Sequence, residues 1–240
     1  MQSYKAHAII LKRTNLGEAY RIITAFSQEF GKIKFVAKGV RKLKSKIAGS
    51  VEPFYFSDLI IVPGKSLDIL TSANITKIPI EDPPNLATIK LASYFAEFID
   101  KTIPEYGPNS ELYNLLAEVL QNINTQDKDL LKFYFESRFY QLSGLLPELS
   151  VCVRCGKKPE SGVYFSVNAG GILDSTCQAV HGDAIKISKE IAKTWRFAAE
   201  NNFSSLKKIN LSEVLRSELF RISKKYLRRE IQREFRSDSI

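Results

Sequence analysis

The sequence contains little cysteine, histidine or tryptophan, and it has no long apolar segment. Among its 240 residues are three cysteines, two histidines and one tryptophan. Three cysteines are an odd number and too few for a disulfide scaffold, which predicts a soluble protein of a reducing compartment. The apolar run near the N-terminus covers only residues 8–11, so we expect no signal peptide. No run approaches the ~18 apolar residues that a membrane span needs.

The sequence also lacks the signatures of common enzyme classes. It has no Gly-x-x-x-x-Gly-Lys-Ser/Thr phosphate loop, no Gly-x-Gly-x-x-Gly motif, no His-Glu-x-x-His and no deaminase metal motif. A serine or cysteine nucleophile needs a base, and the histidines lie in a predicted strand (His7) and beside the cysteines (His181). We therefore expect a protein that is not an enzyme.

Charge, by contrast, is present in surplus and is unevenly distributed. The formal net charge is +9 at pH 7. Residues 1–79 carry a net +8, residues 80–151 a net −6, and residues 152–240 a net +7. Basic ends around an acidic middle predict a polyanionic partner at one or both ends. The acidic middle is then expected to avoid the polyanion and to be available to protein partners.

The hydrophobic pattern predicts an α+β fold. Five short β-branched and aromatic segments, bounded by glycine and proline turns, predict a five-stranded OB-fold barrel at the N-terminus. Apolar residues then recur at helical spacing through three helices, and helices return after a cysteine-bearing segment. The expected domains are a basic, nucleic-acid-binding OB-fold over residues 1–79, a helical domain over residues 80–149 and 183–240, and a zinc-finger-like insertion over residues 150–182.

The cysteine-bearing segment has the form of a zinc knuckle. In Cys152-x2-Cys155-Gly, a turn relieved by glycine directs two thiolates at one point, and Cys177 can supply a third. Asp174 as fourth ligand gives Cys-x2-Cys-x18-Asp-x2-Cys, and His181 gives Cys-x2-Cys-x21-Cys-x3-His. A metal-free ribbon held by hydrophobic contacts is the alternative. We expect one zinc ion, with Asp174 as the first choice for the fourth ligand. The site is expected to be structural, because four protein ligands leave no position for an activated water.

The densest charge lies in residues 32–46, where seven cations and no acid occur. Such charges repel one another unless water or phosphates neutralise them, and phosphate neutralisation makes binding strongly salt-dependent. The candidate nucleic-acid-binding residues are Lys32, Lys34, Lys38, Arg41, Lys42, Lys44 and Lys46. Alternation places Phe35 on the opposite face from Lys32 and Lys34, which predicts that Phe35 is core. A second basic series lies on the last helix and includes Arg233 and Arg236. Its pattern favours phosphate contact and a solvated helix face equally.

The order of these parts resembles the RecO family of bacterial recombination mediators. The resemblance rests on Gly39-Val40-Arg41-Lys42 and Lys44-Ser45 after the third strand, Pro53-Phe54, the Cys-x2-Cys-Gly knuckle, Phe165 and Gly170-Gly171. It implies a DNA repair and recombination protein that binds single- and double-stranded DNA, anneals complementary strands and acts with RecR. It also implies that the protein helps to load RecA onto strands coated by single-strand-binding protein, whose C-terminal tail it recognises. Such a protein acts in the cytoplasm, at the nucleoid, and not at a membrane.

The resemblance implies site residues as well. The family's DNA-contacting barrel positions correspond to Lys32, Lys34, Lys38, Arg41, Lys42 and Lys44, and Lys46 extends the run. Many members have four cysteines, whereas this chain has Asp174 at the third position, and some relatives lack the zinc ligands altogether. The tail-binding pocket is expected to be a hydrophobic groove in the helical region with one or two cations. Two other functions stay open, namely a protein-interaction adaptor and an RNA-binding OB protein, each with incidental DNA affinity.

Overall fold

The structure, a computed structural model, describes residues 2–81, 83–160 and 162–231. The described chain divides into two units, one ending at Lys128 and the other beginning at Asp129. A five-stranded closed barrel comes first, and a helical region that carries the clustered cysteines follows, which confirms the predicted α+β class. Within these ranges no helix combines the length and the apolar character that a membrane crossing requires.

The barrel of the first unit is built from the five segments that the hydrophobic pattern predicts. Its strands are β1 (Tyr4–Leu16), β2 (Tyr20–Ser27), β3 (Gly31–Ala37), β4 (Phe56–Val62) and β5 (Asp68–Lys77). They are ordered β1-β2-β3-β5-β4, and β4 pairs with β1 to close the barrel. The β3–β5 pair is parallel, and the other four pairs are antiparallel. This closure leaves no free sheet edge in the barrel.

Alternating apolar side chains from all five strands fill the barrel. Ile33 and Phe35 of β3 point inward and are 1% and 0% exposed, which confirms that Phe35 belongs to the core. The 3₁₀ turn Gly49–Val51 adds Val51 to the same hydrophobic cluster. The interior is therefore closed to ligands, and any binding must use the outer surface and the loops.

Two helices complete the first unit, α1 (Leu86–Thr102) and α2 (Ser110–Gln121). Asn85 and Asn109 cap them, because their side-chain oxygens accept hydrogen bonds from the third following backbone N–H. The aromatic residues of α1 at positions 94, 95 and 98 are buried. The aromatic stripe is thus core, and not a cofactor site.

The second unit combines helices with a small antiparallel sheet. Its elements are α3 (Lys128–Leu142), β6 (Val163–Ser166), β7 (Gly171–Asp174), β8 (Ile185–Ile187), α4 (Lys189–Glu200), α5 (Phe203–Leu206) and α6 (Glu213–Ile231). The sheet order is β7-β6-β8. Trp195 of α4 is fully buried against Phe165 of β6, Phe133 of α3 and Tyr226 of α6. This aromatic cluster joins the sheet to three helices.

Candidate nucleic-acid interface and metal centre

Five of the seven predicted nucleic-acid-binding cations lie in one loop after β3. We call residues 38–48 the basic loop; it contains no acidic residue. The exposed cations of the basic loop are Lys38, Arg41, Lys42, Lys44 and Lys46. Their side chains are therefore available to phosphates in solution.

The basic loop is tied to the barrel at several points. Val40 is 2% exposed in the barrel core, and Ile47 packs against the same core from the other end of the loop. The Arg41 backbone N–H donates to the carbonyl of Ala19 at 3.2 Å, and its guanidinium donates to the carbonyl of Gly17 at 2.5 Å. The loop is thus held against the β1–β2 turn, which fixes where its cations are presented.

The other two predicted cations, Lys32 and Lys34, are engaged within the first unit. Lys32 is 6% exposed, and its Nζ donates to the Asp100 carbonyl at 2.5 Å and lies 3.6 Å from the Asp100 carboxylate. Lys34 is half-buried and forms an ion pair with Glu105. The hydrogen bond that Lys34 donates within this pair raises the pKa of Lys34. The structure therefore separates these two strand lysines from the five exposed loop cations.

The second basic series lies on α6. Its described members, Arg221, Lys224, Lys225, Arg228 and Arg229, are all exposed. The opposite face of the helix buries Ile222, Tyr226 and Leu227. Arg233 and Arg236 of the same series lie outside the described residues. This arrangement fits either a phosphate contact or a solvated helix face.

The three cysteines meet at one point of the second unit. The sulfur atoms of Cys152, Cys155 and Cys177 all lie within 4.8 Å of one another. The Gly156 N–H donates to the Cys152 carbonyl at 2.8 Å, and Gly156, directly after Cys155, adopts a φ of 72°, so the turn that holds the first two cysteines favours glycine at its end. Zinc–sulfur bonds of about 2.3 Å place tetrahedral sulfurs about 3.8 Å apart, so these thiols can close around a metal ion.

The electrostatics of the cluster favour a thiolate at Cys152, whereas burial and hydrogen bonds to Cys155 and Cys152 raise the pKa of the Cys177 thiol. Burial raises the pKa of the Cys152 thiol, but hydrogen bonds from backbone N–H groups, that of Asp174 above all, outweigh it and lower the pKa to about 7. A thiolate is the form that binds soft metals. Cys152 and Cys177 are buried beside Leu173, whereas Cys155 is exposed.

Neither candidate fourth ligand belongs to this group of sulfurs in the part of the chain that the structure describes. The Asp174 carboxylate accepts hydrogen bonds from the Thr176 N–H and the Thr176 hydroxyl, each at 3.0 Å. These bonds lower the pKa of Asp174. His181 ends the short 3₁₀ turn Gln178–Val180 that follows Cys177. The cluster is thus a three-thiol site with Asp174 and His181 in its flanking turns.

A groove of about 250 Å³ lies in the second unit between the small sheet and α4. Its apolar lining comes from Leu149, Pro159, Val163, Ile172 and Ala192, and its cations are Lys158, Lys189, Lys193 and Arg196. The sequence predicts a hydrophobic groove in the helical region but not the residues that line it. The signal was present in α4, where cations at positions 189, 193 and 196 recur at helical spacing beside Ala192.

Comparison with known proteins covers both units. Residues 1–79 match the family model described as recombination protein O N terminal, and residues 83–239 match the one described as recombination protein O C terminal. The DNA repair protein RecO of Dehalococcoides mccartyi is 32% identical over 218 residues, which are 90% of this chain and 86% of that protein. The DNA repair protein RecO of Desulforamulus reducens is 29% identical over 238 residues, 99% of this chain and 93% of that protein. The chain therefore belongs to the recombination protein O family of DNA repair proteins.

Proposed function

We propose that this protein is a non-catalytic recombination mediator that binds single- and double-stranded DNA through its basic loop and anneals complementary strands. The observation that carries the proposal is the set of five exposed loop cations, without a neighbouring acid in the loop, in a chain of a DNA repair family. Cations that neutralise phosphates reduce the repulsion between two strands and leave the base edges free to pair. Annealing then needs no catalytic group.

The accessible cations define where DNA binds first. Each loop cation that neutralises a phosphate releases counterions, and this release makes the affinity fall as salt rises. Lys34 can contribute only when it exchanges Glu105 for a phosphate, and Lys32 only when it leaves Asp100. We therefore assign the main contact to the basic loop and a secondary contact to Lys34.

The test is the salt dependence of binding to a short single strand, measured by gel shift or fluorescence anisotropy. We expect the wild-type affinity to fall steeply with salt. The double variant Lys42→Ala/Lys44→Ala is expected to reduce the slope of log K against log salt by about 1.4, since each phosphate contact on a single strand contributes about 0.7. Wild-type binding that is absent, or indifferent to salt, would contradict the proposal.

The barrel offers a matched control for this variant. Lys5 and Lys65 are exposed, and they lie near the Tyr4 end of β1, because β4 pairs antiparallel with β1 and ends beside Tyr4. The basic loop contacts the other end of β1, at Gly17. The Lys5→Ala/Lys65→Ala variant removes the same charge and should leave the slope unchanged. RNA of the same sequence that competes as well as DNA would favour the RNA-binding alternative.

We further infer that the protein acts with RecR at the nucleoid, in the cytoplasm, and helps RecA to load onto strands coated by single-strand-binding protein. The groove beside α4 is our candidate for the C-terminal tail of that protein. Its apolar floor and its four cations are suited to a peptide that carries both apolar and acidic side chains. Arg196 also donates to the Ser150 hydroxyl at 2.8 Å, which holds its guanidinium at the rim.

Anisotropy of a labelled synthetic peptide with the sequence of that tail tests the groove. The variant Lys193→Ala/Arg196→Ala is expected to weaken binding at least tenfold, since both cations face the groove. Lys186→Ala, an exposed lysine of β8 outside the groove, is the control and should bind normally. Equal weakening by the control, or none by the groove variant, would place the tail elsewhere. The adaptor alternative predicts tail capture without salt-dependent DNA binding.

We also propose that Cys152, Cys155 and Cys177 hold one structural zinc ion. The support is the convergence of three sulfurs together with the lowered pKa of Cys152. Asp174 is our first choice for the fourth ligand because its backbone N–H already bonds the Cys152 sulfur, and His181 is the second. The ion would brace the turn before β6 against the turn after β7. Metal analysis of Asp174→Ala and His181→Ala distinguishes the two ligands.

A further inference from the structure

The most exposed large apolar side chain among those described lies inside the basic loop. Leu43 has an exposed fraction of 107%, so no described residue covers it. Its neighbours in sequence, Lys42 and Lys44, are also exposed. A fully exposed leucine between two cations loses the benefit of burial in the free protein, so a partner that attracts the cations is the natural source of its burial.

The backbone presents Leu43 at the tip of a defined turn. The Ser45 N–H donates to the Lys42 carbonyl at 2.9 Å, which places Leu43 and Lys44 at the two central positions of a β-turn. The Lys42 N–H in turn donates to the Gly39 carbonyl at 3.1 Å. Since both ends of the basic loop are anchored in the barrel core, the tip projects outward from a fixed base.

Other apolar groups are exposed where the basic loop meets the β1–β2 turn. Leu16 and Tyr20 face each other across that hairpin and are 41% and 42% exposed. The Arg41 N–H bonds the carbonyl of Ala19, the residue next to Tyr20. The path from Tyr20 through the Ala19–Arg41 hydrogen bond to Leu43 is short. Since consecutive Cα atoms lie about 3.8 Å apart, the backbones of Tyr20 and Leu43 are within about 15 Å of each other. The basic surface therefore includes an apolar component.

We propose that Leu43 is an apolar wedge that enters between adjacent bases of bound DNA and unstacks them, while the flanking lysines hold the phosphates on either side. This inference rests on the proposed DNA-binding function and adds a contact to the bases. Aliphatic side chains inserted at a base step separate the bases, and aromatic rings stack on bases that have been freed. Tyr20, whose ring is exposed, lies on the hairpin that the basic loop contacts. A mediator that unstacks a strand makes its bases available for pairing with a complement.

The experiment uses the full chain and a short single strand that carries 2-aminopurine between two adenines. The fluorescence of 2-aminopurine is quenched by stacking and rises when the base is unstacked. We expect saturating wild-type protein to raise the fluorescence about twofold or more. Leu43→Ala should abolish most of this rise while its affinity and its salt slope stay close to wild type, because both lysines are retained. Leu43→Met should restore the rise, since methionine presents an apolar side chain of similar size.

The matched control is Leu86→Ala, which removes an equally large side chain that is 66% exposed at the start of α1. It should give the wild-type fluorescence. Salt-dependent binding without a fluorescence rise, or an undiminished rise with Leu43→Ala, would overturn the wedge and leave the DNA-binding proposal standing. Failure of the wild type to bind DNA would overturn both. If Leu43→Ala weakens capture of RecR or of the tail peptide and leaves the fluorescence unchanged, Leu43 is a protein contact and the wedge is wrong.

Discussion

His7 lies between two carboxylates on the outer surface of the barrel. Its Nδ1 is bonded to the Glu29 carboxylate, and its Nε2 lies 3.6 Å from the Asp58 carboxylate. The hydrogen bond that the imidazole donates to Glu29, and then the charge of Glu29, raise the pKa of His7 above 6.5. Because the folded pKa exceeds the unfolded one, this pair stabilises the barrel fully below pH 6.5. The contribution is lost as the pH rises through the raised pKa.

Proton NMR of the full chain checks this prediction, because the sequence has only two histidines. The variant His181→Ala assigns the His7 ring resonance. We expect its midpoint above pH 6.5 in the wild type and closer to 6.5 in Glu29→Gln, which removes the charge and keeps the shape. A wild-type midpoint at or below 6.5, or one that Glu29→Gln leaves unmoved, would show that the pair does not form in solution.

Lys32 shows what a local pattern can and cannot predict about a residue. Alternation correctly places it on the opposite face of β3 from Ile33 and Phe35. Its burial comes from the end of α1, where the carbonyl of Asp100, 68 positions away along the chain, accepts a hydrogen bond from the Lys32 ammonium group. A buried ammonium group needs such partners, and no pattern within β3 reports them. The sequence could therefore predict the charge of this surface but not which of its lysines remain accessible.

Gly31, the first residue of β3, packs directly against the segment that follows α1. It has a φ of 69°, and a Cβ at this position would lie 2.2 Å from the carbonyl oxygen of Gly107. The Tyr106 N–H donates to the Lys32 carbonyl at 2.9 Å, so the segment runs alongside the start of the strand. We expect Gly31→Ala to lower the free energy of unfolding by about 2–3 kcal/mol, since it adds a steric clash to left-handed backbone strain.

Urea unfolding followed by circular dichroism measures this loss. Gly17→Ala is the matched control, because Gly17 also has a positive φ, 61°, but its Cβ would meet no atom within 4 Å. That variant carries the strain alone and should lose only about 1 kcal/mol. If the two variants lose equal stability, the packing of Gly31 against Gly107 contributes nothing.

The elements divide into those that periodicity predicts and those that pairing alone creates. All five barrel strands and the long helices were predicted, because each is long enough to show a period of 2 or 3.6. The strands β6, β7 and β8 have only four, four and three residues, too few for a period, and they exist through their mutual pairing. The clustering of the cysteines depends on this sheet, which carries Cys177 back to the knuckle.

At the scale of the whole molecule, acids of the middle region neutralise part of the barrel's basic surface and so restrict where it is positive. Asp100 and Glu105 belong to the segment with a net charge of −6, and they engage Lys12, Lys32 and Lys34. The positive potential of the first unit is therefore concentrated in the basic loop, whose cations form no ion pair with the acids that the structure describes. A concentrated basic loop attracts phosphates more specifically than the same charge spread around the barrel.

The single tryptophan lets the second unit be observed separately from the first. Trp195 is the only tryptophan in the sequence, and its ring centroid lies 5.5 Å from that of Phe165 on β6. The next strand along the chain, β7, leads to Cys177. Loss of a bound metal should loosen this sheet and, through Phe165, change the surroundings of Trp195. Tryptophan fluorescence during heating therefore reports whether the cysteine cluster holds a structural ion.

We expect a chelator to lower the temperature at which Trp195 fluorescence reports unfolding. An ion present at a hundred times its dissociation constant contributes about 2.7 kcal/mol, which corresponds to a shift on the order of 10 °C in a unit of this size. Cys152→Ser should unfold at the lower temperature already and should not respond to the chelator. Asp174→Ala should resemble Cys152→Ser if Asp174 is the fourth ligand, and His181→Ala should do so if His181 is. A wild-type transition that the chelator leaves unmoved would mean that the ribbon folds on its hydrophobic contacts, with Cys152 and Cys177 packed around Leu173 as free thiols.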